Sequence, residues 1–122
     1  MGFPLNERSL KNLKGVKPEM VAVVHRAAEI SPIYFVITEG LRTVQRQAEL
    51  VAKGASMTMN SKHITGRAVD VAAFPDGKLS WQFKYYKTIS EAFKQAAREL
   101  GVKIRWGGDW KSFVDAPHFE LI

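Results

Sequence analysis

Two histidines and two aspartates in this chain have the types and the spacing of a hydrolytic metal site. His63 and Asp70 lie in the run from Ser61 to Asp70 (SKHITGRAVD), and Asp115 and His118 follow in a second segment, DAPH. Two imidazoles and one carboxylate are a common zinc-binding set that leaves a coordination position open for water. An open position beside a base is the arrangement that hydrolyses amides. These residues therefore predict a metal-dependent hydrolase more strongly than any bulk property of the chain does.

The spacing of the ligand candidates requires a fold that returns on itself. A helix would place His63 and Asp70 about two turns apart, which is too far for one metal ion. A loop that turns at Gly66 can bring them together, because glycine tolerates backbone angles that other residues avoid. His118, fixed by the preceding Pro117, opens a terminal strand from which it can reach Asp70 on a neighbouring strand. The alternative is a surface histidine in a polar loop and an aspartate in a surface ion pair.

Three carboxylates compete for the role of general base. Asp115 precedes His118 by three residues and can lean over the metal without binding it, although it could also simply form a turn. Glu120 follows His118 by two residues and shares its face if the strand is regular. Asp109 is a weaker candidate, because it belongs to a Gly-Gly-Asp turn.

Composition limits the chemistry further. The chain has 122 residues, of which 46% are hydrophobic and 25% charged, and it contains no cysteine. This length predicts a single catalytic domain spanning residues 1–122. Without cysteine, disulfides and thiolate ligands are excluded, so any zinc must be held by nitrogen and oxygen.

The charge and the amino-terminal segment suggest where the protein works. The formal net charge of +6 favours polyanionic partners, either nucleic acid or a cell-envelope polymer, unless it marks only a solvated surface. No basic segment followed by an apolar one opens the chain, and no apolar run is long enough to span a bilayer. The sequence therefore predicts a protein made in the cytoplasm without a signal peptide and without stable membrane association. Recognised nucleic-acid-binding motifs are absent, which argues against a nucleic-acid partner.

Periodicity and capping residues predict an α+β domain with a small, largely antiparallel sheet and helices packed on it. Asn6, Thr43 and Ser80 are expected to cap helices, and Gly101 to end the longest one. Trp106 and Trp110 flank the Gly-Gly-Asp turn and could wall a cleft, whereas His25 is expected on a helix surface. The predicted helices cover 7–13, 18–30, 44–53 and 81–100, the predicted strands cover 33–38, 68–73, 102–106 and 118–122, and a polar loop covers 55–62.

The motif Ser-x-His-x-x-Gly-x-Ala-x-Asp with a distal Asp-x-x-His resembles the zinc peptidases that include D-alanyl-D-alanine carboxypeptidases and phage endolysins. Weaker matches lie near Val16–Glu19, Glu39–Thr43 and Gly108–Trp110, so the resemblance covers nearly the whole chain. The chain is most similar to the short phage L-alanyl-D-glutamate endolysins. Carboxypeptidase relatives often carry glutamate as the base, so Asp115 favours the endolysin group.

The resemblance implies roles for individual residues. His63, Asp70 and His118 would be the zinc ligands, and Asp115 the catalytic base. Arg42 would contact the substrate or its developing negative charge, and it follows a predicted strand, where loops often line sites. A guanidinium can grip a carboxylate with two hydrogen bonds, although a surface arginine at a helix start is the simpler interpretation from sequence alone. The hydroxyl of Ser61, close to His63 in the chain, adds a candidate substrate contact.

The implied function is cleavage of the L-alanyl-D-glutamate amide in the peptidoglycan stem peptide by a monomer. Such an endolysin would wait in the host cytoplasm and reach the wall after membrane permeabilisation. Two alternatives remain open at this point. One is a D-alanyl-D-alanine carboxypeptidase, and the other is a non-catalytic basic module that binds the cell wall, which would not need Asp115.

Overall fold

The computed structural model describes residues 2–56, 59 and 61–122. Four helices and four strands form within these residues, together with two short 3-10 turns at Pro75–Gly77 and Gly107–Asp109. The helices are α1 (Glu7–Asn12), α2 (Pro18–Ile30), α3 (Val44–Ala52) and α4 (Phe83–Leu100). The strands are β1 (Phe35–Glu39), β2 (Ala68–Ala73), β3 (Ile104–Trp106) and β4 (His118–Leu121). The predicted loop 55–62 lies partly outside the described residues, at positions 57, 58 and 60.

One antiparallel sheet organises the molecule, with strand order β1-β2-β4-β3. The two central strands, β2 and β4, are the ones that carry Asp70 and His118. Helices α2 and α4 pack against each other, and α1 packs on β1. The predicted α+β fold with a largely antiparallel sheet is therefore confirmed. Among the described residues, no helix is both long and apolar enough to cross a membrane.

Aromatic side chains join the sheet to the long helix. The ring of Phe93 on α4 stacks on Phe119 of β4 with centroids 4.0 Å apart, and Phe35 of β1 lies 5.4 Å from Phe93 on another side. All three side chains are fully buried. Burying a phenylalanine side chain contributes about 1.5–3 kcal/mol. This cluster therefore stabilises the packing of α4 on one face of the sheet, and the polar residues of β2 and β4 lie on the other face.

Most predicted helix ends are confirmed by their caps. Asn6 Oδ1 accepts from the Ser9 amide at 2.8 Å, and Thr43 Oγ1 accepts from the Arg46 amide at 3.0 Å. Gly101 ends α4 in the left-handed conformation with φ of 69°. The prediction that Ser80 caps α4 was wrong. Its backbone instead forms a bridge with Ala73, so the helix begins only at Phe83.

Candidate metal centre and active site

The pairing of β2 with β4 brings Asp70 and His118 together, because the two residues are direct partners in the antiparallel register. His63 comes from the turn that precedes β2. In the part of the chain that the structure describes, one potential ligand atom from each of His63, Asp70 and His118 lies within 4.8 Å of the other two. Residues separated by up to 55 positions in the chain thus form one compact cluster.

The two distances from Asp70 to the histidines suit a small tetrahedral ion. Asp70 Oδ1 lies 3.3 Å from His63 Nε2 and 3.2 Å from His118 Nδ1. Ligand atoms bound to zinc at about 2.0–2.1 Å in a tetrahedron are separated by about 3.3 Å. The carboxylate oxygen therefore already stands at the separation from both imidazole nitrogens that a shared zinc ion requires.

Each histidine is oriented through its other nitrogen. His63 Nδ1 donates to the Gly40 carbonyl oxygen at 2.8 Å, which leaves Nε2 facing Asp70. His118 Nε2 donates to Glu120 Oε1 at 2.8 Å, which leaves Nδ1 facing Asp70. Outer partners of this kind fix the tautomer and the ring orientation of metal-binding histidines. The donor set and its supporting bonds fit a metal ion.

The turn that carries His63 depends on Gly66. Gly66 has φ of 71°, in the left-handed region that favours glycine, and its amide donates to the His63 carbonyl oxygen at 3.2 Å. A side chain at this position would collide with the backbone carbonyl oxygen of Gly15. The predicted return of the chain at Gly66 is therefore confirmed, and close packing adds a second reason for glycine there.

Gly66→Ala is expected to destabilise the protein more than Gly54→Ala. Both glycines have left-handed φ angles, 71° and 74°, so each substitution costs about 1–2 kcal/mol from backbone strain. Only Gly66 adds a collision, because nothing lies within 4 Å of a Cβ atom at Gly54. Urea denaturation of the two variants measures the difference, and equal free energies of unfolding would show that the contact with Gly15 has no energetic consequence.

Hydrogen bonds within the cluster shift the pKa values of Asp70 and His118. Burial opposes ionisation of Asp70, but hydrogen bonds from His118 and His63 outweigh it and hold the pKa of this carboxyl well below its usual range. Burial likewise opposes protonation of His118, but its hydrogen bonds to Asp70 and Glu120 outweigh this and raise its pKa to about 9. The two histidines and Asp70 thus form a network of hydrogen bonds around one carboxylate.

Asp115 lies beside the cluster without joining it. Its backbone is anchored, since its amide donates to the Gly107 carbonyl oxygen at 3.0 Å and its carbonyl accepts from the His118 amide at 3.1 Å. Among the described residues, no hydrogen bond or ion pair engages its side chain. Burial and the nearby charge of Asp70 raise the pKa of its carboxyl, against the opposing influence of the neighbouring cations. This carboxylate is free to accept a proton.

Glu120 stands in a different environment from Asp115. One of its oxygens accepts from His118, and the other lies 3.4 Å from Lys62 Nζ and 3.8 Å from Arg105 Nη1. Burial raises its pKa, but the bond from His118 and the Lys62 charge outweigh this and lower it. Both oxygens of Glu120 are therefore engaged, one by His118 and the other by two cations.

Arg42 is buried and holds Asp70 through a network. Its Nε and Nη2 donate to the two oxygens of Glu39 at 2.9 and 2.6 Å, and its Nη1 donates to Gln47 at 2.7 Å. Nη2 also lies 3.5 Å from Asp70 Oδ2. Neither Glu39 nor Gln47 was predicted as a site residue. Glu39 lies three residues before Arg42 and within the weaker family match Glu39–Thr43, whereas Gln47 has the pattern of an ordinary helix residue.

A cleft of about 420 Å³ opens over the cluster. Ser61 and Arg42, predicted to contact the substrate, and Asp115, predicted as the base, are among the residues that line it. Asp109 lies elsewhere, exposed and paired with Lys94 at 2.7 Å. Of the two tryptophans, Trp110 lines the cleft but Trp106 is buried in the core. Further lining comes from Glu39, Leu50, Ala55, Ser56, Lys62, His63, Asp70, Phe113, His118 and Glu120.

Two solved peptidase structures share this architecture. Serratia marcescens ChiX, an L-Ala D-Glu endopeptidase, superposes with a TM-score of 0.93 and 45% sequence identity over 99% of this chain and 91% of its own. The vancomycin-resistance D,D-pentapeptidase VanY in complex with Zn(II) superposes with a TM-score of 0.55 over 87% of this chain and 72% of its own. At 20% identity, the second match shows a shared fold alone.

Sequence comparison gives the same result over the full length. The L-alanyl-D-glutamate peptidase of Escherichia phage T5 is 42% identical, and the alignment covers 100% of both chains. The family model of the phage L-alanyl-D-glutamate peptidases matches residues 1–122. The resemblance inferred from the two histidine motifs is confirmed, and this chain belongs to the phage L-alanyl-D-glutamate peptidase family.

Proposed function

We propose that this protein is a zinc-dependent endopeptidase that hydrolyses the amide between L-alanine and D-glutamate in peptidoglycan stem peptides. One observation carries the proposal: a His-Asp-His cluster with zinc-like spacing lies in a cleft beside an unengaged carboxylate. The activity named for the family and for its relatives supports the choice of bond.

His63, Asp70 and His118 are the proposed zinc ligands. Bound there, zinc would lower the pKa of a water molecule and polarise the scissile carbonyl. The donor set supports this assignment, since two neutral imidazoles and one carboxylate leave a position open. The zinc complex of VanY, which shares the fold, is consistent with it.

Asp115 is the proposed general base. It would take a proton from the attacking water and return it to the leaving amine, which is the work of a positioned carboxylate. Its anchored backbone, its unengaged side chain and its raised pKa support this role. Glu120, committed to His118, is proposed to orient that ring.

Arg42 and Ser61 are the proposed substrate-binding residues. Among the described residues, Glu39, Gln47 and Asp70 occupy four of the five N–H groups of Arg42, which leaves one N–H on Nη1 for a substrate oxygen. Three of these four bonds go to Glu39 and Gln47 and hold the guanidinium beside Asp70. The Ser61 hydroxyl accepts from the His63 amide at 3.2 Å. No acceptor for its proton lies among the described residues, so this proton is proposed to bind a substrate carbonyl.

Labelling of newly exposed amino groups tests the cleaved bond. Digestion of purified peptidoglycan is expected to yield D-glutamate as the new amino terminus and no free D-alanine. Free D-alanine as the main product would instead establish a carboxypeptidase. Wall binding without any new amine would establish a non-catalytic module.

Zinc affinity is expected to rise with pH up to about 9. The pKa of His118 is about 9 in the metal-free protein, so below that pH the ring is protonated on both nitrogens. A proton must leave Nδ1 before a metal binds, which predicts about a tenfold gain in apparent affinity per pH unit, levelling off above pH 9. Competition titrations with a zinc chelator measure this slope. A flat profile between pH 7 and 9 would contradict the raised pKa of His118.

We also propose that the protein acts as a monomer on wall peptidoglycan, without a nucleic-acid partner or stable membrane association. Production in the host cytoplasm, followed by access to the wall after membrane permeabilisation, fits a phage lysis enzyme. The net charge of +6 would assist encounter with an anionic wall by long-range attraction.

A further inference from the structure

Phe113 holds a backbone conformation that is unusual for its residue type. Its φ angle is 50°, in the left-handed region, and Asp76 is the other non-glycine residue with positive φ in the described part of the chain. Aspartate tolerates this region through local hydrogen bonds, whereas a bulky aromatic residue there is strained. Strained residues persist where the surrounding structure over-determines them, and they cluster at functional sites.

The loop around Phe113 is anchored on both sides. The amides of Trp110 and Asp115 both donate to the Gly107 carbonyl oxygen, at 3.3 and 3.0 Å. Trp106 Nε1 donates to the Ala116 carbonyl oxygen at 2.7 Å. These bonds confine the intervening residues to a short span, which can hold Phe113 in its strained conformation.

The strain does not bury the ring. Phe113 is 48% exposed, although a phenylalanine would ordinarily be driven into a core. Its side chain lines the catalytic cleft, two residues before Asp115, together with Trp110, whose ring lies 5.2 Å from that of His118. The neighbouring Val114 is also exposed, at 54%, but does not line the cleft. The loop thus presents an aromatic surface beside the candidate metal centre.

We propose that Phe113 is a substrate-contacting residue, whose ring covers an apolar part of the stem peptide next to the scissile amide. This inference rests on the proposed endopeptidase function. The left-handed backbone places the ring at the cleft, where its exposed part can be covered by an apolar group of the substrate. Phe113 therefore contributes to substrate affinity, while Asp115 contributes to the chemical step.

Substituting Phe113 by glycine and by alanine distinguishes the effect of losing the ring from the effect of the backbone strain. Both remove the ring, so Phe113→Gly and Phe113→Ala should each raise KM about tenfold and change kcat less than about twofold. Glycine alone tolerates the left-handed φ, so Phe113→Gly should melt roughly 4 °C above Phe113→Ala. Phe113→Tyr, which keeps the ring, should retain the wild-type KM, and Val114→Ala is the matched control that should leave KM and kcat unchanged.

Binding without turnover gives an independent measurement. In an Asp115→Asn background, calorimetry with the L-alanyl-D-glutamyl stem peptide should show about tenfold weaker binding after Phe113→Gly. If Phe113→Gly left affinity and KM unchanged while the wild-type protein cleaved this bond, the proposed role of Phe113 would be wrong and the proposed function would stand. A wild-type protein that cleaves no stem peptide would instead overturn the proposed function.

Discussion

Asp115→Asn is expected to lower kcat by about 10²–10⁴-fold while zinc content and thermal stability stay close to wild type. The amide isostere keeps the size of the side chain but cannot accept the proton of the attacking water. No described side chain depends on this carboxylate for a hydrogen bond, so the fold should tolerate the change. Single-turnover cleavage of a stem peptide, with zinc content and melting temperature measured on the same sample, checks all three parts of this expectation.

Two matched variants locate the base. Asp109→Asn alters an exposed aspartate that is paired with Lys94, away from the cleft, and should leave kcat unchanged. Glu120→Gln should weaken zinc binding, because the carboxylate that orients His118 is lost, and excess zinc should restore much of the activity. If Glu120→Gln abolished kcat at saturating zinc and Asp115→Asn did not, the two roles would have to be exchanged.

The double substitution of His63 and His118 by alanine is expected to abolish zinc binding and, with it, all measurable cleavage. The wild-type protein should hold about one zinc per chain. Asp70 alone would remain in the variant, and one carboxylate does not retain zinc in competition with a chelator. Elemental analysis of protein purified without added metal gives the stoichiometry.

His25→Ala is the control for this pair. His25 is exposed in the middle of α2 and takes no part in the cluster, so its loss should change neither zinc content nor turnover. Undiminished zinc in the double variant would rule out the proposed site, whatever its activity.

Local signals in the sequence predicted the helices better than the strands. Asn6, Thr43 and Gly101 act through bonds to residues a few positions away, so their caps could be predicted from sequence. The first strand was expected over 33–38 but spans Phe35–Glu39, because an irregular register lets Glu39 pair with Asp70. A charged residue at a strand end gives no hydrophobic signal. Ser80 does not cap α4, because its backbone pairs with Ala73. This is a contact between separate segments, which local sequence signals do not predict.

The same distinction applies to the site. The two motifs identified His63, Asp70, His118 and Asp115 as candidates, and in the structure all four residues line one cleft. Their proposed roles, like the prediction of a single catalytic domain over residues 1–122, stay predictions.

The supporting contacts were not predictable, because they join residues that the sequence leaves far apart. Lys62 reaches the Leu121 carbonyl oxygen at 2.5 Å and Glu120 at 3.4 Å, which ties the His63 turn to β4. The bond from His63 to Gly40 is likewise a product of the fold.

Anomalous scattering at the zinc edge, from a crystal of the protein purified without added metal, tests the central claim most directly. The account predicts one zinc peak per chain, within about 2.0–2.2 Å of His63 Nε2, His118 Nδ1 and a carboxylate oxygen of Asp70. Asp115 should lie near the open coordination position without binding the metal. A zinc ion held by Asp115 or Glu120 in place of Asp70, or no zinc at this cluster in an active protein, would contradict it.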